Sequence, residues 1–400
     1  MNCAALSPMQ ATYQRFTRLW LLVTLTGLTG VAGFNLLIDP AGAFPGWHLE
    51  RFEPLRYLGL DRLHKAELAR RGGWEVIILG SSRSQAGLPA THPFLAARQT
   101  CNLSLNGGKF RELTAAFDCA LQRNPLQHVI LCLDPFMFAS GSLWMEDFLE
   151  SRFNPDLSLF DYYCKRLLGR GAADEAWTTL RQQREHYQPP PQARLGFYDT
   201  HLSPGSSQRE LFGRVMRVLA PGHRRQKVDP SNLEFFRHVV RECCDRKIDL
   251  QMAIMPVHAL QNELLYGTGH WPDFEKWKTD LVNLLAQEGV EGKFNLWDFT
   301  GYSGLQAETI PPAEDVTSRM KYYFEGSHCT PVFGGLILDA LFGEPGASQV
   351  GAKLDRTNLQ PHLAQILADR DDYVRNHAAD MEWVGHILLE TEPGPSAVRK

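Results

Sequence analysis

Val76-Ile77-Ile78-Leu79-Gly80-Ser81-Ser82-Arg83 carries four apolar residues, three of them β-branched, straight into a glycine and two serines. An apolar run of this length, bounded by glycine, reads as a buried strand. A strand that ends in a sharp turn lifts a serine above the sheet, where several hydrolase architectures present a nucleophile. Gly80 permits the turn. Ser82 is the better placed hydroxyl because it stands where strand gives way to helix, and Ser81 is the second candidate. The competing reading is that both serines cap the following helix.

Elements alternate outward from this turn. Val76–Leu79, Thr100–Leu105, His128–Leu133, Leu250–Met255 and Lys293–Trp297 read as strands. Phe110–Gln122, Asn232–Asp245 and Phe274–Gln287 carry apolar residues at helical spacing, and Leu55–Arg71 reads as a helix stopped by Gly72-Gly73. This order predicts an α/β fold with a parallel sheet and helices on both faces. Ser140–Pro230 breaks the rhythm. Its Pro189-Pro190-Pro191, its many Arg and Gln residues and its helix-like pieces at Trp177–His186 and Glu210–Leu219 mark an insertion over the strand ends. Beyond Gly346, Leu359, Leu363, Ile366 and Leu367 outline an amphipathic helix that Pro361 helps start.

Arg15 and Arg18 are the first charges, none follows from Leu19 to Ile38, and Asp39-Pro40 closes the segment. At 1.5 Å per residue, roughly 20 apolar positions span the ~30 Å hydrocarbon layer. Basic residues before the segment and an acid after it place the N-terminus inside and the main domain outside. A cleaved signal peptide, with small residues at Val31-Ala32-Gly33, is the competing reading. The expected organisation is a cytoplasmic N-terminus over 1–18, an anchor over 19–38, an α/β domain over 41–345 with its insertion at 140–230, and a helical appendage over 346–400. A net charge of -4 excludes general electrostatic affinity for nucleic acid. Cys101, Cys119, Cys132, Cys164, Cys243, Cys244 and Cys329 follow the anchor without the CxxC pairs of a zinc site. An exported location permits one or two disulfides, which spacing alone does not pair.

Tyr323-Phe324-Glu325-Gly326-Ser327-His328 sets a carboxylate three residues before an imidazole, ahead of an apolar run from Val332 to Phe342. Hydroxyl, base and acid form a nucleophilic triad by their roles, whatever their chain order. His328 is one of 14 histidines, so the spacing from Glu325 is what singles it out. Asn102-Leu103-Ser104-Leu105-Asn106-Gly107-Gly108 follows the second strand. Backbone amides at Gly107 or Gly108, with Asn102 or Asn106 side chains, are candidate oxyanion donors. The segment lacks the GxxxxGK[ST] spacing of a phosphate loop, and no cofactor is expected. Arg83 binds an anionic group or pairs with Asp134. Asp298 and His258 follow strands at the sheet edge where open α/β folds bind ligands. A third reading builds a metal-dependent site from Asp298, His258 and His328.

Gly80-Ser81-Ser82, the Gly107-Gly108 turn and Glu325-Gly326-Ser327-His328 resemble the Gly-Asp-Ser, glycine and Asp-x-x-His blocks of the SGNH (GDSL-like) hydrolase and acyltransferase superfamily. Over roughly residues 40 to 345 the chain looks like the membrane-anchored bacterial branch with a Gly-Ser/Thr-Ser-Arg block, akin to proteins that O-acetylate or D-alanylate envelope polymers. The third-strand segment reads Leu131-Cys132-Leu133-Asp134-Pro135, without the asparagine of the family's Gly-x-Asn-Asp block, and the acid before the histidine is Glu. The resemblance implies a three-layer α/β/α fold of SGNH/flavodoxin-like type. It implies Ser82 as nucleophile, His328 as general base and acid, Glu325 as the orienting carboxylate, and an oxyanion hole from Ser82, Gly107, Gly108 and Asn106. It also implies an outward-facing bacterial inner-membrane esterase or O-acyltransferase acting on an acyl ester of an envelope glycan. The alternative is a catalytically inactive module of the same fold that binds glycan or a membrane-bound acyltransferase partner.

Overall fold

Every residue of β1 (Val76–Leu79) is buried, as an unbroken apolar run requires of a strand covered on both of its faces. It is joined by β2 (Thr100–Asn102), β3 (His128–Leu133), β4 (Asp249–Ile254), β5 (Asn295–Asp298) and β6 (Ala352–Leu354) in one six-stranded sheet of order β2-β1-β3-β4-β5-β6. All neighbours pair in parallel except β5 and β6, which are antiparallel. The register sets Leu79 beside Leu131 and Ile254 beside Asp298, so the C-terminal ends of β1, β3, β4 and β5 share one edge of the sheet. The protein is thus a mixed α/β chain with a mostly parallel sheet.

The computed structural model describes residues 8–44, 46–47, 49, 51–52, 61–140, 145–185, 191–198, 205–224, 227–343 and 350–392. Its helices are α1 (Pro8–Ile38), α2 (Asp61–Arg71), α3 (Ser82–Gly87), α4 (Pro93–Ala96), α5 (Phe110–Leu121), α6 (Glu146–Leu149), α7 (Leu159–Leu168), α8 (Arg170–Arg184), α9 (Gln208–His223), α10 (Asn232–Arg246), α11 (Ala259–Gly267), α12 (Trp271–Gln287), α13 (Pro331–Phe342), α14 (Leu359–Asn376) and α15 (Ala378–Glu390). The expected helix over 55–71 is seen from Asp61; its residues 55–60, like Pro189, Pro190 and Gly346, lie outside the described residues. The expected strand Thr100–Leu105 stops at Asn102, whose side chain accepts the Ser104 amide at 3.0 Å and bends the chain. Cys101, Cys119, Cys132, Cys164, Cys243, Cys244 and Cys329 are all free thiols.

The C-terminal boundary expected at 345 is corrected by β6, which completes the sheet from beyond it. Leu359, Leu363 and Ile366 of α14 sink into the main core. Arg370 pairs with Glu263 of α11 at 2.7 and 2.8 Å. This segment is part of the same packed body and not an appendage.

α1 is long and apolar enough to cross a membrane, and it starts before Leu19, running through Arg15 and Arg18. Large apolar side chains from Met9 to Val31 are exposed. Its last turn is built into the protein: Asn35 Nδ2 donates to the Leu167 carbonyl at 2.9 Å, and Ile38 packs with Phe52 and Ala176. Asp39 then closes the helix, accepting the Ala43 and Phe44 amides at 2.7 and 3.0 Å.

At the end of β5 a buried ion cluster joins sheet to helices. Lys278 of α12, fully buried, donates to Asp298 Oδ2 and Thr300 Oγ1, each at 2.7 Å, and His362 of α14 reaches Asp298 Oδ2 at 2.9 Å. Burial alone would raise the Asp298 pKa; the Lys278 and His362 charges overcome it and hold the carboxyl well below its ordinary value. Asp298→Asn would leave the Lys278 ammonium buried without its counter-charge, at a cost on the order of 3–5 kcal/mol. Chemical denaturation of the variant should show a loss of that size; an unchanged midpoint would contradict the role given to this cluster.

Candidate active site

Gly80 is fixed by close approach: a Cβ there would stand 2.2 Å from Ser84 Oγ and 2.8 Å from Cys132 Cβ. Only a bare α-carbon lets β1 turn against β3 at this point. The two serines then divide the two readings of the turn between them. Ser81 is the helix cap: fully buried, its Oγ accepts the Arg83 amide at 3.1 Å and donates to Asp134 Oδ2 at 2.6 Å. Ser82, at the first position of α3, directs its Oγ to His328 Nε2 at 2.9 Å.

His328 and Glu325 lie in a loop closed by a bridge between Tyr323 and Cys329, with the Phe324 amide donating to the His328 carbonyl at 3.0 Å. His328 Nδ1 bonds Glu325 Oε1, while Glu325 Oε2 accepts the Ser327 amide at 2.7 Å. Both oxygens of the longer acid are therefore engaged, one holding its own loop and one holding the imidazole. The glutamate is almost fully buried, and the imidazole keeps 28% of its side chain exposed. Gln208, at the start of α9, clamps the same loop by donating to the Tyr323 and Phe324 carbonyls at 2.7 and 3.1 Å. The arrangement can pass a proton from a hydroxyl to an imidazole steadied by a carboxylate.

Arg83 does not present a free cation to a ligand. It bonds Asp134 Oδ1, and its Nε and second guanidinium nitrogen both reach Ser327 Oγ at 3.2 Å. Asp134, fully buried, faces Arg83 and Ser81 and does not line the cleft described below, which corrects its assignment to substrate binding.

The loop after β2 is held from beneath by α2. Asp61 accepts the Asn106 amide at 2.7 Å, Arg62 donates to the Asn106 carbonyl at 3.1 Å, and buried Lys65 donates to the Ser104 carbonyl. Burial pulls the Lys65 ammonium below its ordinary pKa, against the opposing pull of Asp61. Gly107 sits in the left-handed region at φ 60° with open space where a Cβ would be. Among the described residues, neither its amide nor that of Ser82 has a hydrogen-bond acceptor. Gly108 is corrected as an oxyanion donor: its amide is spent on the Leu105 carbonyl at 2.9 Å. Asn102 is likewise structural, donating to the Ser84 carbonyl at 3.2 Å. Asn106 and Gly107 are exposed and line the cleft.

Ser82, Glu325 and His328 open onto a cleft of about 590 Å³. Its other wall lies within the segment read as an insertion over the strand ends, through residues not singled out from the sequence: Arg214, Val215, Val218 and Leu219 of α9, with Lys109 and Phe136 also lining the cleft. The sequence signal was present in the apolar spacing of Glu210–Leu219, but nothing local showed which partner that face would meet. Lys109 Nζ donates to the Phe136 carbonyl at 3.0 Å, and burial lowers its pKa.

Two expected ligand contacts lie elsewhere. Asp298 is enclosed in the Lys278 cluster, and His258 is a buried cap of α11, its Nδ1 accepting the Leu260 amide at 3.2 Å and its Nε2 meeting the Glu308 carbonyl at 2.8 Å. Neither lines the cleft, so both are corrected as substrate contacts. Asp298, His258 and His328 are each engaged by different partners, and among the described residues no group of three His, Cys, Asp or Glu side chains is placed to share a metal ion.

Burial drops the His258 pKa to about 4, only partly offset by the Glu308 carbonyl. The unfolded chain takes up this proton near pH 6.5, the folded chain only near 4, so stability is full above about 6.5 and falls as pH drops through that window. The loss should reach about 3 kcal/mol at pH 4 by the same linkage. His258→Asn keeps a capping acceptor and cannot titrate; denaturation curves from pH 7 to 4 should lose this slope in the variant, and an equal slope in both proteins would refute the assignment.

No family model and no curated protein matches the chain, so the reading of the site rests on its own geometry.

Proposed function

We propose that the protein is a membrane-anchored, outward-facing serine esterase or O-acyltransferase of SGNH type, with the three-layer arrangement of that fold, acting on an acyl ester of an envelope polysaccharide or related polymer. One observation carries the chemistry: Ser82 Oγ lies 2.9 Å from His328 Nε2, whose other nitrogen is held by buried Glu325, at the edge of an open cleft. The family and substrate rest on the resemblance of the Gly80-Ser81-Ser82-Arg83 and Glu325-Gly326-Ser327-His328 blocks. The outward orientation rests on Arg15 and Arg18 preceding the apolar segment and Asp39 following it.

In this reading Ser82 Oγ attacks the ester carbonyl carbon as its proton passes to His328 Nε2. The carbonyl oxygen gains negative charge, and the Ser82 and Gly107 amides are assigned as its donors. The bond to the leaving alcohol breaks, and that oxygen takes the proton from His328. Water, or a hydroxyl of the acceptor polymer, then attacks the acyl-serine, giving its proton to His328; Ser82 Oγ leaves and recovers that proton. Glu325 steadies the imidazolium throughout and keeps its own charge. Gly107 matches the donor role because the asparagine block is absent and Gly108 is already bonded.

Ser82→Ala should abolish labelling by a serine-directed fluorophosphonate and turnover of a small acetyl ester. The variant removes one half-buried hydroxyl whose bond is to the His328 ring, and it should fold as the parent does. Full labelling of the variant would overturn the nucleophile, and turnover independent of Ser82 would overturn the reaction.

A further inference from the structure

We propose that the cleft receives an acyl chain longer than acetyl, with the inserted helix α9 as the wall that selects it; this rests on the serine chemistry proposed above. On α9, Phe212, Met216 and Ala220 are buried in the core. Val215, Val218 and Leu219 form a second apolar stripe, left over after core packing and lining the cleft beside Arg214, together with Phe136 and Ala139. Val218 is 73% exposed. A surface helix ordinarily turns polar residues to water on the face opposite its core stripe. Here the second face is apolar and adjoins the nucleophile, in a cleft of about 590 Å³ that a two-carbon acyl group would leave mostly wet.

The occupant that fits is the methylene chain of the acyl group itself. Its carbonyl carbon must sit at Ser82 Oγ, so the chain beyond it runs along whatever lines that end of the cleft. Each methylene removed from water contributes roughly a fourfold gain in binding. Six further methylenes against an open wall should therefore give well over a tenfold preference. Gln208 ties this wall to the loop carrying His328 through the Tyr323 and Phe324 carbonyls, so α9 is fixed relative to the reacting groups.

The test uses the full chain in lipid nanodiscs and two fluorophosphonate probes that differ only in their alkyl chain, ethyl and octyl. Ser82 Oγ attacks phosphorus, fluoride leaves, and the proton passes to His328, so the labelling rate reads occupancy of the cleft without requiring turnover. The octyl probe should label at least tenfold faster than the ethyl probe. Val218→Asp and Leu219→Asp should each bring that ratio toward one, and the exposure of Val218 means its replacement opens no core. An octyl rate no greater than the ethyl rate, or a ratio unchanged in both variants, would overturn the acyl groove while leaving the serine chemistry standing. Absence of Ser82 labelling by either probe would overturn the serine chemistry and the groove with it.

Discussion

The carboxylate of Asp134 is the constraint on which the rest of the site depends. From the end of β3 it takes a hydrogen bond from Ser81 on one oxygen and from Arg83 on the other, and Arg83 continues to Ser327 in the histidine loop. Three segments far apart in sequence meet at one buried charge. Removing either partner of a buried ion pair strands the other and costs on the order of 3–5 kcal/mol, whereas the pair itself adds little net stability. Its value is therefore positional: it holds Ser81 as a cap so that Ser82 alone is turned outward, and it sets the loop that brings His328 to that hydroxyl.

The same logic extends away from the sheet edge. α2 is buried along most of its length although it is rich in charge, because Arg62 forks onto Glu112 at 3.1 and 2.8 Å and Lys65 is met by Asp61 and the Ser104 carbonyl. These contacts fix the loop that leaves Gly107 open. On the opposite flank, α9 clamps the histidine loop through Gln208. α1 is welded to α7 and α8 through Asn35 and Ile38 and is no loose tether. The body is thus held closely to the end of a helix long and apolar enough to cross a membrane.

Much of this was legible from residues. Val76–Leu79 and His128–Leu133 are continuous apolar runs, and buried parallel strands leave that mark. Ser82, Glu325 and His328 were readable because a glycine turn and a three-residue spacing are local signals. Asp134 was foreseen as a partner of Arg83, yet its burial away from the cleft was not, since the choice between ligand and structural role is made by Ser81 and Ser327. β6 escaped notice because a three-residue strand with one exposed position carries no period-2 pattern. The segment of α9 was read as an insertion over the strand ends, but its cleft-facing residues escaped for a different reason: a helix with two apolar stripes does not declare which one faces the core. Gly108 and Gly107 look alike in sequence, and only the Leu105 carbonyl separates the bonded amide from the open one.

The central claim is that His328 takes the proton of Ser82. The most direct measurement is the rate at which a small fluorophosphonate labels Ser82 in the parent protein and in His328→Ala. If the imidazole 2.9 Å away is the base, the rate should fall by roughly 10²–10⁴-fold while the fold is retained. Labelling at the parental rate in a folded His328→Ala protein would contradict the account.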